Sequence, residues 1–178
     1  MLATLISIDA LSIFAQQKTI EDSLKITTRG CTIYGTLALP TGISEKNPQP
    51  IVLIIAGSGP TDRQGNSKPP VNPNSYRMLA DSLAERGIAS LRYDKRGIGQ
   101  SKSTDIKEEN LRFDDYATDA ADWLRLLRTD RRFSKIVVVG HSEGSLVGML
   151  ASREAGADGF VSLAGAGRRI GDDQMIVI

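Results

Sequence analysis

Apolar residues along this chain come by turns in short unbroken runs and in helical stripes. Ile51 to Ile55 is a continuous apolar run, Ile88 to Tyr93 is a second strand-like segment, and Ile136 to Val139 is β-branched throughout. Runs of this kind predict strands buried on both faces of a parallel sheet. Between them, residues 73–86 set Met78, Leu79, Leu83 and Ala84 on one helical face, with Gly87 as the stop signal. Residues 114–128 do the same with Ala117, Ala120, Ala121, Leu124 and Leu127, and Trp123 is expected to pack in the core. From Glu143 onward, Leu146, Val147, Leu150 and Ala151 follow helical spacing until Gly156. Residues 24–40 alternate like an antiparallel hairpin with Arg29-Gly30 at its turn, and residues 159–167 predict a sixth strand with a glycine-rich exit. Strands alternating with helices predict an α/β fold, a mostly parallel sheet with helices on both faces and right-handed crossovers.

The chemistry lies where the predicted strands end. In "VVVGHSEGSLVG", residues 137–148, Ser142 stands on a corner between a strand and a helix. So sharp a corner strains the backbone at the serine. Small residues two before and two after it, Gly140 and Gly144, leave room for the neighbouring chain. The exposed hydroxyl could attack a carbonyl, and the helix starting at Glu143 offers free N–H groups to the negative charge that develops. The Glu143 N–H is the natural donor. Two more strands end in glycine-rich loops, "AGSGPTDRQGN" (residues 56–66) and "YDKRGIGQSKS" (residues 93–103). In the first, Gly57-Ser58-Gly59-Pro60-Thr61-Asp62 has no third glycine, loses an N–H at Pro60 and lacks the Gly-Lys-Ser/Thr of a P-loop, so it does not fit a nucleotide phosphate.

Gly140-His141-Ser142-Glu143-Gly144, following a β-branched strand, resembles the nucleophile elbow of the α/β-hydrolases. Asp94-x-Arg96-Gly97-x-Gly99-x-Ser101 resembles the loop after the fourth strand of that superfamily. With the 56–66 loop, the set is similar to the bacterial branch that includes serine aminopeptidase-like and acylaminoacyl-peptidase-like proteins. The resemblance covers residues 24–170. It implies a cofactor-free serine hydrolase acting on carboxylic esters, in some members on amides, with small-molecule ester or peptide substrates. Ser142 would carry the acyl group, and the N–H groups of Ser58 and Glu143 would form the oxyanion hole. Asp94 and Arg96 would hold their loop through an ion pair and hydrogen bonds. The resemblance also places an acid and then a histidine later in the chain than the serine, so the 178 residues read as a hydrolase truncated after its sixth strand, with the carboxy-terminal strands missing and no activity of its own. The single histidine, His141, adjoins the nucleophile and points away from its hydroxyl; in such elbows it packs beneath the serine. Asp172 and Asp173 stand where some members carry the acid. The alternatives are a non-catalytic binding or scaffold protein on the same fold, and a haloperoxidase or lyase, because fold does not fix function.

Composition narrows the field. A net charge of +1 and the absence of a basic stripe exclude a nucleic-acid partner. One cysteine, Cys31, allows no internal disulfide, and one histidine leaves a metal site without ligands. The apolar amino terminus, ending near Gln16-Gln17, is too short and too interrupted by Asp9 to span a membrane. It predicts a leader over residues 1–16 and a secreted or periplasmic protein, with a cytoplasmic one as alternative. Residues 171–178 form a tail ending in apolar "MIVI". The uncovered sixth strand predicts self-association through the sheet edge.

Overall fold

The computed structural model describes residues 19–67, 70, 72–103 and 108–167. The expected leader and tail, Asp172 and Asp173 lie outside the described residues. The chain opens with a hairpin of β1 (Ile20–Thr28) and β2 (Cys31–Leu39), paired antiparallel from Ile20 opposite Leu39 to Thr28 opposite Cys31. Its two-residue turn has positive φ at both positions, 46° at Arg29 and 72° at Gly30, the backbone whose twist matches that of paired strands.

Four strands then build the parallel part of the sheet: β3 (Gln49–Ile55), β4 (Ala89–Tyr93), β5 (Phe133–His141) and β6 (Gly159–Leu163). The spatial order is β1-β2-β4-β3-β5-β6, antiparallel between β2 and β4 and parallel from β4 to β6. The crossovers carry α1 (Ser75–Ala84), α2 (Phe113–Thr129) and α3 (Glu143–Ala155).

Alternation along β3 divides the core into two layers. Ile51, Leu53 and Ile55 face a large cluster with Leu91, Tyr93, Trp123, Leu124, Val138 and Val147, under α2 and α3. Val52, Ile54 and Ala56 face a smaller one with Tyr76 and Ala80 of α1. A strand covered on both sides has no polar face to keep, which is why it reads as an unbroken apolar run.

The helical faces depart from the expected ones in detail. On α1 the buried stripe is Tyr76, Ala80 and Ala84, spaced by four, while Met78 is 63% exposed because it lies two residues, over half a turn, from Ala80. On α2 all five expected positions are buried, together with Trp123 and Asp119. On α3 the buried face is Gly144, Ser145, Val147, Gly148 and Ala151, with Leu146 exposed. The glycines let this helix approach β5 so closely that a Cβ at Gly148 would stand 2.8 Å from Val138. At the far edge, Phe160, Val161 and Leu163 of β6 are exposed.

Candidate active site

Ser142 joins β5 to α3 with φ 53° and ψ −120°, a backbone that L-residues rarely adopt. Such strain costs on the order of 1–3 kcal/mol and persists only where the surroundings over-determine it. Here they do. The Ser142 N–H donates to the Leu163 carbonyl of β6 (2.8 Å), and its own carbonyl accepts from Ser145 N–H (2.9 Å). The corner is tight enough that a Cβ at Gly140 would meet the Gly144 carbonyl and the Ser145 Cα, while one at Gly144 would stand 2.5 Å from the Ile55 carbonyl oxygen. The Ser142 side chain makes no capping bond to α3, so the helix does not consume the hydroxyl. Glu143 occupies the first position of α3, where an N–H has no intrahelical acceptor.

The strand register brings the 56–66 loop to the serine. β3 lies between β4 and β5, with Ile54 opposite Arg92 on one side and Ile55 opposite Gly140 on the other. Continued past the strand ends, these registers set Gly57 between Lys95 and Ser142. The packing agrees: a Cβ on Gly57 would lie 3.2 Å from the Ser142 Cβ and 3.1 Å from His141 Nδ1.

Both polar groups of Gly57 are engaged. Its N–H donates to the Tyr76 hydroxyl of α1 (3.2 Å), and its carbonyl accepts from Lys95 Nζ. The next N–H, that of the exposed Ser58, has no hydrogen-bond partner among the described residues, and the Ser58 carbonyl accepts from Thr61 Oγ1 (3.3 Å). Lys95 is buried and 3.9 Å from the Glu143 carboxylate, with its ammonium 5.7 Å from the centre of the Tyr116 ring. Burial pushes the Lys95 ammonium below its ordinary value of 10.5, and Glu143 opposes the shift.

Tyr76 reaches His141 as well, with its hydroxyl 2.8 Å from Nδ1 and the rings edge-on at 5.9 Å between centres. The Tyr76 oxygen thus stands between the Gly57 N–H, from which it accepts, and His141 Nδ1. His141 is exposed rather than packed beneath the serine. It shares the β5 face of Val137 and Val139, which are only partly buried and, among the described residues, have α1 as the helix on their side.

Asp94 and Arg96 bond to different partners, not to each other. Asp94 accepts from the backbone N–H groups of Arg63 (2.8 Å) and Gln100 (2.9 Å) and lies 3.6 Å from the Arg63 guanidinium, so one carboxylate ties the 56–66 loop to the 94–101 loop. Arg96 forks onto Asp119 of α2 at 3.0 and 2.5 Å and donates to the Thr28 carbonyl at 3.3 Å. The hydrogen bonds to Asp119 hold the guanidinium further above its ordinary value. Ser101 completes the loop, donating to the Asp94 carbonyl and accepting from Tyr34 N–H, both at 2.9 Å.

Ser142, Glu143, Gly140, Gly144 and the Ser58 loop thus meet at the carboxyl edge of the parallel strands, the usual position of ligands in open α/β sheets. Sequence reasoning passed over Tyr76 and Lys95. Lys95 fills the variable position of Asp-x-Arg-Gly, and Tyr76 sits off the stripe expected for α1; neither carries a local signal. Among the described residues no group of acidic, histidine or cysteine side chains could hold a metal, and no helix is long and apolar enough to cross a membrane.

The chain is similar to the esterase EstD of Thermotoga maritima, 29% identical over 141 residues that make up 78% of this chain and 31% of that protein. This chain therefore spans about a third of the length of that relative. Among solved structures it superposes on Est1E from Butyrivibrio proteoclasticus, described with ferulic acid bound, at a TM-score of 0.63 and 23% identity, covering 80% of this chain and 52% of Est1E. It also superposes on a dienelactone hydrolase from Anabaena variabilis at a TM-score of 0.59 and 24% identity, covering 83% and 64%. At these identities the superpositions establish the fold. The sequence pattern of the family described as serine aminopeptidase, S33, matches residues 73–172, which include Asp94, Arg96 and the whole 140–144 corner. With that match over more than half of its length, and with this sheet, the chain belongs to the serine aminopeptidase S33 family of the α/β-hydrolase superfamily.

Proposed function

We propose that Ser142 is the nucleophile of a carboxylic ester hydrolase that works through an acyl-enzyme. The observation that carries this reading is the strained serine itself: φ 53° at the exit of β5, its hydroxyl uncommitted to the helix, and Gly57 packed against its Cβ. The Ser142 Oγ attacks the ester carbonyl, and the carbonyl oxygen takes the negative charge. Two N–H groups, those of Ser58 and Glu143, receive it. Collapse expels the alcohol, and water then releases the acid from the serine. Removing one such donor typically costs about 10²–10³ in kcat.

The serine proton needs a base within about 2.6–3.2 Å. His141, the sole histidine of the 178 residues, is held through Nδ1 by Tyr76, so on this reading the base is a group other than His141. The family match and the esterase relative support a small-molecule ester as the substrate.

The test is phosphonylation of the full-length protein by a fluorophosphonate, with hydrolysis of p-nitrophenyl acetate measured beside it. An adduct at Ser142 and turnover that Ser142→Ala abolishes are expected. A folded protein with neither would refute the proposal and leave a non-catalytic scaffold on the hydrolase fold.

A further inference from the structure

We propose that Lys95 is a positioning residue for the oxyanion hole, acting through the peptide that links Gly57 to Ser58. This inference rests on the reading of Ser142 as a nucleophile. The carbonyl that Lys95 holds and the Ser58 N–H are the two ends of one planar trans unit, and they point in opposite directions. Fixing the oxygen therefore aims the hydrogen. Lys95 Nζ holds the oxygen from the β4 side, and the register places the serine on the opposite, β5 side of Gly57.

The preceding peptide is fixed too, because the Gly57 N–H is bound by the Tyr76 hydroxyl. With φ and ψ of Gly57 held at both flanks, a residue without a Cβ loses the freedom that would blur the donor. That glycine is itself required, since a Cβ there would press on Ser142 and His141 at 3.1–3.2 Å.

Charge adds to geometry. An ammonium bound to the carbonyl oxygen draws electron density along the amide and makes its N–H a stronger donor, the polarisation found in chains of hydrogen bonds at low local dielectric. Lys95 has only 5% of its surface exposed, so water screens this little. Glu143, whose N–H is the other proposed donor, answers the same ammonium with its carboxylate at 3.9 Å. One cation is thereby tied to both halves of the hole. Among the described residues the groups facing it are the Glu143 carboxylate from α3, the Tyr116 ring from α2 and the Gly57 carbonyl from the loop after β3. Its lowered pKa adds an observable: on the alkaline side the ammonium loses its proton, and the anchor with it, below the ordinary lysine value of 10.5.

The experiment compares wild type, Lys95→Met and Lys95→Arg in the full-length protein. It reads kcat and KM for p-nitrophenyl acetate, the rate of Ser142 phosphonylation and the pH profile of kcat. Lys95→Met is expected to lower kcat and the phosphonylation rate about tenfold, less than deletion of a donor, with KM nearly unchanged and the alkaline fall in kcat abolished. Lys95→Arg is expected to restore most of the rate and to carry it to higher pH, since a guanidinium keeps its proton. A folded Lys95→Met protein with wild-type kcat overturns the role. So does an alkaline limb unaltered in Lys95→Arg, which decides the matter alone if Lys95→Met does not fold. Wild type lacking both turnover and Ser142 labelling removes the hydrolase reading and this one with it, whereas an active wild type indifferent to both substitutions removes only Lys95.

Discussion

Substituting Gly140 by alanine tests the physical account of the serine corner. Gly140 lies in β5 and is absent from the residues with positive φ, so alanine meets no backbone penalty there and the effect is steric. Its Cβ would fall on the Gly144 carbonyl oxygen and stand 2.5 Å from both the Gly144 carbonyl carbon and the Ser145 Cα. Ordinary carbon contacts are about 3.5–4.0 Å, so α3 must move out by about 1 Å. The atoms in the way are backbone and cannot rotate aside. Overpacking costs of about 1–3 kcal/mol are usual, and this site belongs at the upper end, about 3 kcal/mol. In a chain of this size that corresponds to a fall in Tm of roughly 6–12 °C. Displacement of the reacting groups by about 1 Å can cost about a hundredfold in rate. Thermal unfolding and the rate of Ser142 phosphonylation measure the two effects. Gly148→Ala is the control, because the atoms nearest the added carbon outside its own helix are side-chain ends: Val138 at 2.8 Å, Phe160 at 3.2 Å and Ile55 at 3.3 Å. If Gly140→Ala unfolds and reacts like wild type, close backbone approach is not what the glycine is for.

Three further outcomes are expected. Asp119→Ala leaves the Arg96 guanidinium buried without its partner and should destabilise by about 3–5 kcal/mol in urea unfolding. Asp158 accepts the Ile136 N–H at 2.9 Å and is held below its ordinary value of 3.8 chiefly by that bond. Its contribution to stability is therefore complete above that value and is lost as the pH falls through the lower folded one; Asp158→Asn should flatten the acid side of the stability profile. The 178-residue chain made alone exposes Phe160, Val161 and Leu163 on its edge strand and should self-associate with rising concentration in size-exclusion chromatography, less so after Val161→Lys.

Several elements were legible in the residues because the forces that make them are local. The Arg29-Gly30 turn needs two positive φ values, and a glycine at one of them announces the hairpin. Five alanine and leucine positions of α2 follow from helical spacing alone. Elsewhere the local pattern misled. Met78 and Leu146 are as apolar as their neighbours, but α1 and α3 turn those positions to the surface because glycine and alanine, not leucine, line the contact with the sheet. A close helix–sheet approach selects small residues that hydrophobicity does not mark.

The order of motifs along the chain, the strand-to-helix corner at Ser142 and the need for glycine around it were set by the sequence itself, through β-branched runs, helical stripes and turn chemistry that act within a few residues. The order β1-β2-β4-β3-β5-β6 was decided only by the tertiary structure, since each buried strand would satisfy its apolar faces beside several others. That order puts β3 between β4 and β5, and so brings Lys95, 38 residues from Gly57, and Tyr76, 19 residues from it, onto the two polar groups of one glycine. The same packing gives Arg96 to Asp119 rather than to Asp94. A lysine or a tyrosine has no preference for such a partner until the sheet has closed around both, because the bond is worth forming only once water has been excluded from each end.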